Sequence, residues 1–158
     1  MKKIDLKKIA LKNLQSGDLV KIKGKVFTFR DTTCQQFFNN SQEIINLKNS
    51  FIFFCGPSPT PKGKIIGSCG PTTTSRMEKY LEQFLQKGVK GFLGKGEISL
   101  TAMRILKKKG AVYFSVTGGV GALLACKIKS AKIKALQELG PEAIYEFELK
   151  DFPAVVEI

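Results

Sequence analysis

Residues 67–88, GSCGPTTTSRMEKYLEQFLQKG, form a glycine-punctuated loop that runs into a predicted helix. Ser75 and Glu78 have the S-x-x-E spacing of a capping box, which predicts Ser75 as the N-cap and Glu78 as the N3 residue. Gly88 follows a lysine and ends the predicted helix as its C′ residue. Apolar residues recur between them at helical spacing: Met77, Tyr80, Leu81, Phe84 and Leu85. This loop-to-helix unit is the centre of the predicted fold.

Hydroxyl groups and positive charge are concentrated where this helix is expected to start. Thr72, Thr73 and Thr74 precede it, and Arg76 lies in its first turn. The first N–H groups of a helix have no partner within the helix and make that end positive, so an arginine there has the wrong charge. Free N–H groups, hydroxyls and a guanidinium together suit a bound anion. The alternative is an ordinary capped helix whose arginine faces water.

Length and composition predict one soluble α/β domain over residues 1–158, with residues 1–16 as a basic lead-in. The hydrophobic fraction of 43% and the charged fraction of 25% are ordinary for a globular protein. No apolar run approaches the roughly 20 residues that span a bilayer. Asp5 and scattered lysines interrupt the N-terminus, which argues against a signal peptide. We therefore expect a cytoplasmic protein.

The net charge of +13 raises nucleic acid as a partner, but the charge pattern argues against it. The lysines are spread along the chain, and the one short run, Lys107 to Lys109, lies near a predicted helix end, where cations suit the helix dipole. An acidic protein partner or an anionic small substrate explains the charge equally well. The four cysteines, Cys34, Cys55, Cys69 and Cys126, have no C-x-x-C spacing, and the chain has no histidine. We therefore expect buried free thiols and no metal ligand set in this chain.

The rest of the chain alternates predicted strands and helices. Val, Ile, Phe and Thr content predicts strands at 19–22, 25–29, 51–55, 91–94, 111–116, 145–149 and 155–158. Helices are predicted at 34–38, 122–128 and 132–139, and from Ser99 as cap through Lys109 with Gly110 as C′. The segment GPSPTPKGK at 56–64 contains three prolines and two glycines, which indicates an ordered loop near a site or an interface.

Two more cations follow predicted strands. Arg30 and Asp31 come directly after one of them, so Arg30 either binds a ligand or pairs with Asp31 at a strand–helix corner. Lys95 lies between Gly94 and Gly96, a backbone suited to turning and to approaching another group closely. The alternative for Lys95 is a turn with a solvated side chain.

Five motifs, in order, resemble a known family. They are RDTT at 30–33, GPTTTSRM at 70–77, GKG at 94–96, GGVG at 118–121 and DFPAVV at 151–156. This arrangement resembles the beta subunit of iron–sulfur-dependent class I fumarases and L(+)-tartrate dehydratases, which in single-chain members is the C-terminal domain. The resemblance runs from about Gly17 to Ile158. It implies a swivelling β/β/α domain with a mixed sheet and flanking helices.

The resemblance also implies a reaction, a partner and a cofactor. The reaction is the reversible trans addition of water to the double bond of a dicarboxylate, either fumarate to L-malate or the related tartrate dehydration. A separate alpha subunit would hold a [4Fe-4S] cluster through three cysteines, with its exposed iron as a Lewis acid. This chain would be the beta subunit of a hetero-oligomer, would close over the substrate and would ligate no metal.

Motif positions assign roles to five residues. Arg30 and Arg76 match the family's carboxylate-binding arginines, and a guanidinium fork suits bidentate binding of a carboxylate. Thr72 matches the proton-transfer threonine, with Thr73 beside it in the substrate-binding set. Lys95 matches the motif lysine that binds substrate or assists the proton transfer. A threonine hydroxyl is a poor base by itself, so Thr72 needs a neighbouring group.

One residue departs from the family pattern. Cys34 stands four positions after Arg30, where the family usually has histidine, which leaves substrate preference and pH dependence open. The rival function from another class is a non-catalytic basic domain that binds anions or nucleic acid through its +13 charge.

Overall fold

The structure, a computed structural model, describes residues 1–158 and has one mixed sheet of seven strands with flanking helices. The strands are β1 (Lys2–Asp5), β2 (Leu19–Phe29), β3 (Phe51–Phe54), β4 (Gly91–Gly94), β5 (Val112–Ser115), β6 (Ile128–Ala135) and β7 (Ile144–Val156). The α-helices are α1 (Asp31–Asn39), α2 (Leu81–Gln86), α3 (Leu100–Lys109) and α4 (Gly121–Ala125), and 3₁₀ segments cover Leu11–Asn13, Thr74–Tyr80 and Gln137–Glu142. The predicted α/β class is confirmed.

Parallel pairing organises the first five strands, and the long strand β7 closes the sheet. Strands β1 to β5 are hydrogen-bonded in chain order and run parallel. Strand β7 runs antiparallel to β2, β5 and β6. Because β7 pairs with both β2 and β5, the strands β2, β3, β4, β5 and β7 form a closed ring. This ring leaves β1 and β6 as the two outer strands. No helix has the length and apolar content needed to cross a bilayer.

The core consists of two apolar clusters, because successive residues of a strand point to opposite faces. In β3, Phe51 and Phe53 belong to one cluster, while Ile52 and Phe54 belong to the other. The second cluster fills the space between the sheet and three helices, which contribute Phe37 from α1, Leu81 and Phe84 from α2, and Ala102 and Leu106 from α3. All four residues of β3 are buried, which confirms the central strand predicted from its continuous apolar run.

Turn-like residues inside β2 and β7 bend these strands without ending them. The prediction placed separate strands on either side of Gly24, but β2 continues through that residue with a shift of register between Ile22 and Gly24. Gly24 has a φ of +130°, and Asp151 in the opposing strand β7 has a φ of +52°. The predicted break at Asp151 is therefore also wrong. Both residues belong to a bulge, which adds residues to a ladder and leaves the strand intact.

Of the two helix predictions in the last third of the chain, one is too long and the other is wrong. The helix predicted at 122–128 is α4, which ends at Ala125, and the helix predicted at 132–139 is replaced by β6 and a 3₁₀ segment. In β6, pairing with β7 decides the structure: Lys132 lies opposite Glu146, and Ile133 lies opposite Tyr145. That pairing joins residues distant in sequence, so local propensity could not show it. Strand β1, inside the basic lead-in, was also not predicted.

The helix after the threonine loop does not start as predicted. Residues from Thr74 to Tyr80 form a 3₁₀ segment, and the α-helix begins at Leu81. The capping box is wrong, because Glu78 binds another partner: its carboxylate accepts hydrogen bonds from the Ser99 N–H (2.8 Å) and the Ser99 hydroxyl (2.7 Å). The predicted apolar face is confirmed, since Met77, Leu81 and Phe84 are buried. Gly88 has a φ of +90°, as expected for a C′ glycine.

Candidate functional site

The sequence-predicted site residues lie around one end of the sheet. Strands β2 to β5 are parallel, so their carboxyl ends face the same way. Arg30, Cys55, Lys95 and Val116 are the first residues after these four strands and define what we call the carboxyl end of the sheet. Parallel strands of α/β folds, in open sheets and in closed barrels, present ligand sites at this end, because the loops that leave the strands meet there.

The threonine loop docks onto this end through its backbone. The Thr72 N–H donates to the Phe54 carbonyl at the end of β3 (2.7 Å). The Lys95 N–H donates to the Thr72 carbonyl (3.1 Å), and the Thr74 N–H donates to the Lys95 carbonyl (3.0 Å). Residues Thr73 and Lys95 thus pair as a short parallel bridge. The structure therefore brings Thr72, Thr73 and Lys95 side by side, as the shared site predicted from sequence requires.

Thr72 presents a hydroxyl that makes no hydrogen bond within the chain and is close to the surface. The residue is 8% exposed, so its side chain is held by its surroundings but is still reached from one side. Thr74, two positions later, is 1% exposed, and its hydroxyl is bonded to the Tyr113 hydroxyl (2.9 Å). Of the two hydroxyls, that of Thr72 is the one free to contact a ligand.

Arg30 is half-buried and fixed at the start of α1. A methyl group at Gly56 would lie 2.4 Å from Arg30 Cδ, so the stem of the arginine packs directly on a bare glycine. Its Nε lies 3.7 Å from a Glu142 carboxylate oxygen, is buried and donates no hydrogen bond. A buried N–H without an acceptor costs free energy. The Arg30 side chain is therefore positioned by Gly56 and by its ion pair with Glu142, while 35% of it remains exposed to a ligand.

Arg76 is exposed and reaches the same helix start. Its Nη2 lies 3.2 Å from Asp31 Oδ2, and about half of each side chain is accessible. The predicted alternative of an Arg30–Asp31 pair does not form, because Asp31 pairs with Arg76. This ion pair connects the segment after the threonine loop to α1, next to Arg30. An exposed ion pair is weak, so a carboxylate ligand can compete with Asp31 for the guanidinium.

Lys95 extends from the carboxyl end of β4 and has no ion-pair partner in the chain. Its stem lies against the glycine turn that follows β5: a methyl group at Gly118 would lie 2.7 Å from Lys95 Cδ. The residue as a whole is exposed. Its ammonium group is thus a free cation beside the Thr72 loop.

The Tyr113 side chain connects the two backbone segments of the site, the threonine loop and the turn after β4. Its hydroxyl lies 2.9 Å from Thr74 Oγ1 and donates to the Gly96 carbonyl at 2.7 Å. The residue is fully buried, and burial raises the pKa of Tyr113 to about 12, with the carboxylates of Glu157 and Glu78 acting in the same direction. The tyrosine is therefore neutral at all physiological pH values and acts as a structural clamp.

The cysteines occupy separate places. Cys34 belongs to the apolar cluster on the helix side, and Cys55 and Cys69 belong to the other cluster, whereas Cys126 is exposed, so the expected burial is wrong for Cys126. Burial raises the pKa of the Cys34 thiol, and a hydrogen bond with the Cys69 thiol together with burial raises the pKa of the Cys55 thiol. Because the four thiols do not converge on one point, they do not form the ligand set of an iron–sulfur cluster.

Several contacts at the site could not be found from sequence. Asp31 and Glu142 hold the two arginines, while Gly56 and Gly118 accept the stems of Arg30 and Lys95. Glu142 is more than 100 residues away from Arg30 in sequence. In the sequence, a glycine that packs closely against a side chain cannot be distinguished from a glycine in an ordinary turn. The GGVG motif was the one signal that pointed to the Gly118 turn.

Comparison with known proteins gives a consistent result. The sequence model of the family described as "Fumarase C-terminus" matches residues 1–158. "Fumarate hydratase 2" of Leishmania major is 34% identical over 98% of this chain, which spans 29% of that protein. "Fumarate hydratase class I, aerobic" of Escherichia coli K12 is 41% identical over 70% of this chain and 20% of its own length. "Putative L(+)-tartrate dehydratase subunit beta" of Methanocaldococcus jannaschii is 31% identical over 96% of this chain and 82% of its own length.

Proposed function

This chain belongs to the fumarase C-terminal family, and on that premise we propose that it is the beta subunit of a hydro-lyase that interconverts fumarate and L-malate. The observation that carries the proposal is the grouping of Arg30, Thr72 and Lys95 at the carboxyl end of the sheet, with Arg76 reaching the same place through Asp31. Cations that lack strong internal partners suit a dianionic substrate.

The two arginines bind the substrate carboxylates. The Arg30 side chain is 35% exposed, and its one charged partner, Glu142, lies at 3.7 Å, beyond hydrogen-bond distance, so the guanidinium can bind a substrate carboxylate. The Arg76 guanidinium exchanges its exposed contact with Asp31 for a second carboxylate. Planar guanidinium groups bind carboxylates through two parallel hydrogen bonds, which fixes the direction of the substrate as well as its charge.

Thr72 moves the proton at the substrate carbon that does not carry the hydroxyl group. During hydration its hydroxyl gives a proton to that carbon, and during dehydration it accepts one. Thr72 is a weak base alone, so a neighbouring group must hold or remove its proton. Lys95 is the candidate in this chain, because its backbone is bonded to that of Thr72. The Thr73 hydroxyl completes the substrate-binding set.

The remaining chemistry belongs to a separate alpha subunit. The chain spans less than a third of the fumarate hydratases it matches, but 82% of a tartrate dehydratase beta subunit. The similarity to a protein named as a subunit beta supports an enzyme in which the remaining part is a second polypeptide. The [4Fe-4S] cluster is assigned to that alpha subunit, since the thiols of this chain do not converge. The site residues lie on an open face, which the alpha subunit covers.

The segment from 56 to 64 takes part in this assembly. It has no regular structure, and it leads into a cavity of about 530 Å³ between the loop and α4. The cavity is bordered by Pro61, Ile65 and Ile66 on one side and by Ala122, Ala125 and Ile128 on the other. Lys64 and Lys129 are the charged residues at its border, and no acidic residue lines it. An apolar segment with acidic flanks on the alpha subunit complements this surface.

Co-expression with the alpha subunit tests the proposal. We expect the two chains to co-elute anaerobically in size-exclusion chromatography and the complex to hydrate fumarate. The isolated chain should contain no stoichiometric iron or sulfide. The two-chain hypothesis is wrong if the two chains never co-elute or if the isolated chain contains stoichiometric iron.

L(+)-tartrate is the second candidate substrate, because a relative matched over 82% of its own length is named as a tartrate dehydratase subunit. The two arginines would hold either dianion. The ratio of kcat/KM for L-malate and L(+)-tartrate, measured on the same complex, decides between them.

A further inference from the structure

Lys95 is held through its backbone, and its exposed side chain lies against a glycine. Its backbone N–H and carbonyl bond to the carbonyl of Thr72 and the N–H of Thr74, and the next carbonyl, that of Gly96, accepts from the Tyr113 hydroxyl (2.7 Å). The flexible stem of a lysine normally occupies many conformations, and fixing its backbone does not restrict them. A second contact is needed to place the ammonium group, and the structure contains one.

That contact is the bare surface of Gly118. A methyl group there would lie 2.7 Å from Lys95 Cδ and 3.8 Å from its Nζ, and the three nearest heavy atoms all belong to Lys95. Gly118 has no positive φ, unlike Gly119 with its φ of +78°, so its own backbone does not require glycine. The absence of a side chain at Gly118 therefore serves the packing of Lys95 and not the turn.

From these contacts we propose that Gly118 is a positioning residue for Lys95. The missing Cβ provides the surface on which the lysine stem lies, and this surface holds the ammonium group at the carboxyl end of the sheet beside Thr72. The catalytic meaning of this placement rests on the proposed hydro-lyase function. The placement itself is a property of the chain and is testable without activity.

A double-mutant cycle in the reconstituted enzyme tests the catalytic part. Gly118→Ala should lower kcat/KM about 10- to 100-fold, the effect of misplacing a catalytic group by about 1 Å. Lys95→Ala should lower it further. In the Lys95→Ala background the Gly118→Ala change should have no additional effect, because the only group it displaces is gone. Equal losses in both backgrounds would show that Gly118 acts through the fold, and the proposal would be wrong.

Competitive acylation of the isolated full chain tests the placement without activity. Trace labelling with acetic anhydride, followed by mass spectrometry, measures the reactivity of each lysine amine. Gly118→Ala should change the labelling rate of Lys95 and leave that of Lys129, which is exposed on β6, unchanged. Gly70→Ala is the matched control, since a methyl group there meets no atom within 4 Å.

The two experiments separate the possible failures. An inactive wild-type complex together with altered Lys95 labelling would reject the hydro-lyase proposal and retain the positioning role. An active complex in which Gly118→Ala changes neither kcat/KM nor Lys95 labelling would reject the positioning role alone.

Discussion

Two regions of this chain are rich in cations, the carboxyl end of the sheet and the outer strands β1 and β6, and they hold these cations differently. On the outer strands, Lys2, Lys3, Lys129, Lys132 and Lys134 are exposed, and among them the single ion pair is Lys2 to Asp18 (2.6 Å). At the carboxyl end, each cation has a specific contact: Arg30 with Gly56 and Glu142, Arg76 with Asp31, and Lys95 with Gly118.

The difference shows that the net charge of the chain says little about function, whereas cations fixed at one end of the sheet indicate a binding site. Lysines on outer strands are a common means of preventing edge-to-edge association, and their long stems keep the charge in solvent. Positioned cations lose conformational freedom before a ligand arrives, so less entropy is lost on binding. We therefore expect mutations at the carboxyl end to affect catalysis strongly, and lysine mutations on β6 to affect it little. The following predictions test this contrast from the largest effect to the smallest.

Thr72→Val should give the largest loss. Valine keeps the shape of threonine and removes only the hydroxyl, so the 8%-exposed position should stay packed. If Thr72 moves the proton, kcat should fall about 100- to 10,000-fold while KM changes little. Steady-state kinetics of the two-chain enzyme in both directions, with circular dichroism as the folding control, measure this. Thr73→Val is the matched comparison and should act mainly on KM, and an equal loss of kcat in both variants would contradict the assignment.

Truncation of either arginine should lower activity somewhat less than Thr72→Val does. Removing a charge-assisted hydrogen bond to a substrate carboxylate in a closed site costs about 2–4 kcal/mol, which is about 30- to 1,000-fold in kcat/KM. Arg76→Ala and Arg30→Ala should both fall in this range, measured on the same complex. Arg76→Lys should restore little, because an ammonium group keeps the charge and lacks the fork.

Asp31→Asn provides the control for Arg76. It removes the competing carboxylate and leaves the guanidinium, so substrate binding should be retained. A folded Arg76→Ala variant with wild-type kcat/KM would instead show that Arg76 is an ordinary surface residue paired with Asp31.

The raised pKa of Tyr113 predicts that the free energy of unfolding depends on pH in the alkaline range. Its pKa of about 12 in the folded chain lies above the ordinary value of 10.0, so between these values the folded state keeps a proton that the unfolded state loses. The stabilising contribution is thus complete below about pH 10 and is lost as the pH rises towards 12, by at most about 2–3 kcal/mol. Urea unfolding of the wild type and of Tyr113→Phe should show this.

Lysines also titrate in this pH range, so the quantity that matters is the difference between the two proteins. Phenylalanine cannot ionise, and the variant should lose less stability between about pH 9 and about pH 11 than the wild type. At neutral pH the variant should be less stable by about 1 kcal/mol, the usual cost of a lost hydrogen bond. If the free energy of unfolding falls equally with pH in the two proteins, ionisation of Tyr113 does not cause the loss of stability at alkaline pH.

Sequence predicted the local features of this fold and missed those set by distant partners. Ser99 caps α3 by accepting from the Ala102 N–H (3.1 Å), and Gly110 ends that helix with a φ of +65°, both as predicted from neighbouring residues. Glu78 failed as a capping residue because its partner, Ser99, lies 21 positions away. Strand β6 was predicted as a helix because its structure depends on pairing with β7.

The same division holds at the candidate site. The motifs predicted which residues belong to it, and the topology explains why Arg30 and Lys95 lie at the same end of the sheet: both follow parallel strands. The contacts that hold those side chains were not predictable, since Glu142 and Gly118 are remote in sequence from Arg30 and Lys95. Their roles in binding and catalysis remain predictions for the experiments above.

The smallest expected effect is that of the β6 lysines, and it tests the other side of the contrast. Lys132 and Lys134 are exposed on an outer strand, and neither makes an ion pair with a residue of the candidate site. Replacing both by glutamine lowers the net charge from +13 to +11 and leaves every contact at the candidate site in place. We expect kcat/KM to change by no more than about twofold at physiological salt, because salt screens exposed charges that make no direct contact with the site. Binding to duplex DNA and to single-stranded RNA, measured in parallel by fluorescence anisotropy over a range of salt concentrations, should be weak in both proteins. Tight, strongly salt-dependent binding that the double variant loses would mean that the scattered lysines form a functional nucleic-acid surface. In that case placement at the carboxyl end would not be what distinguishes the functional cations of this chain.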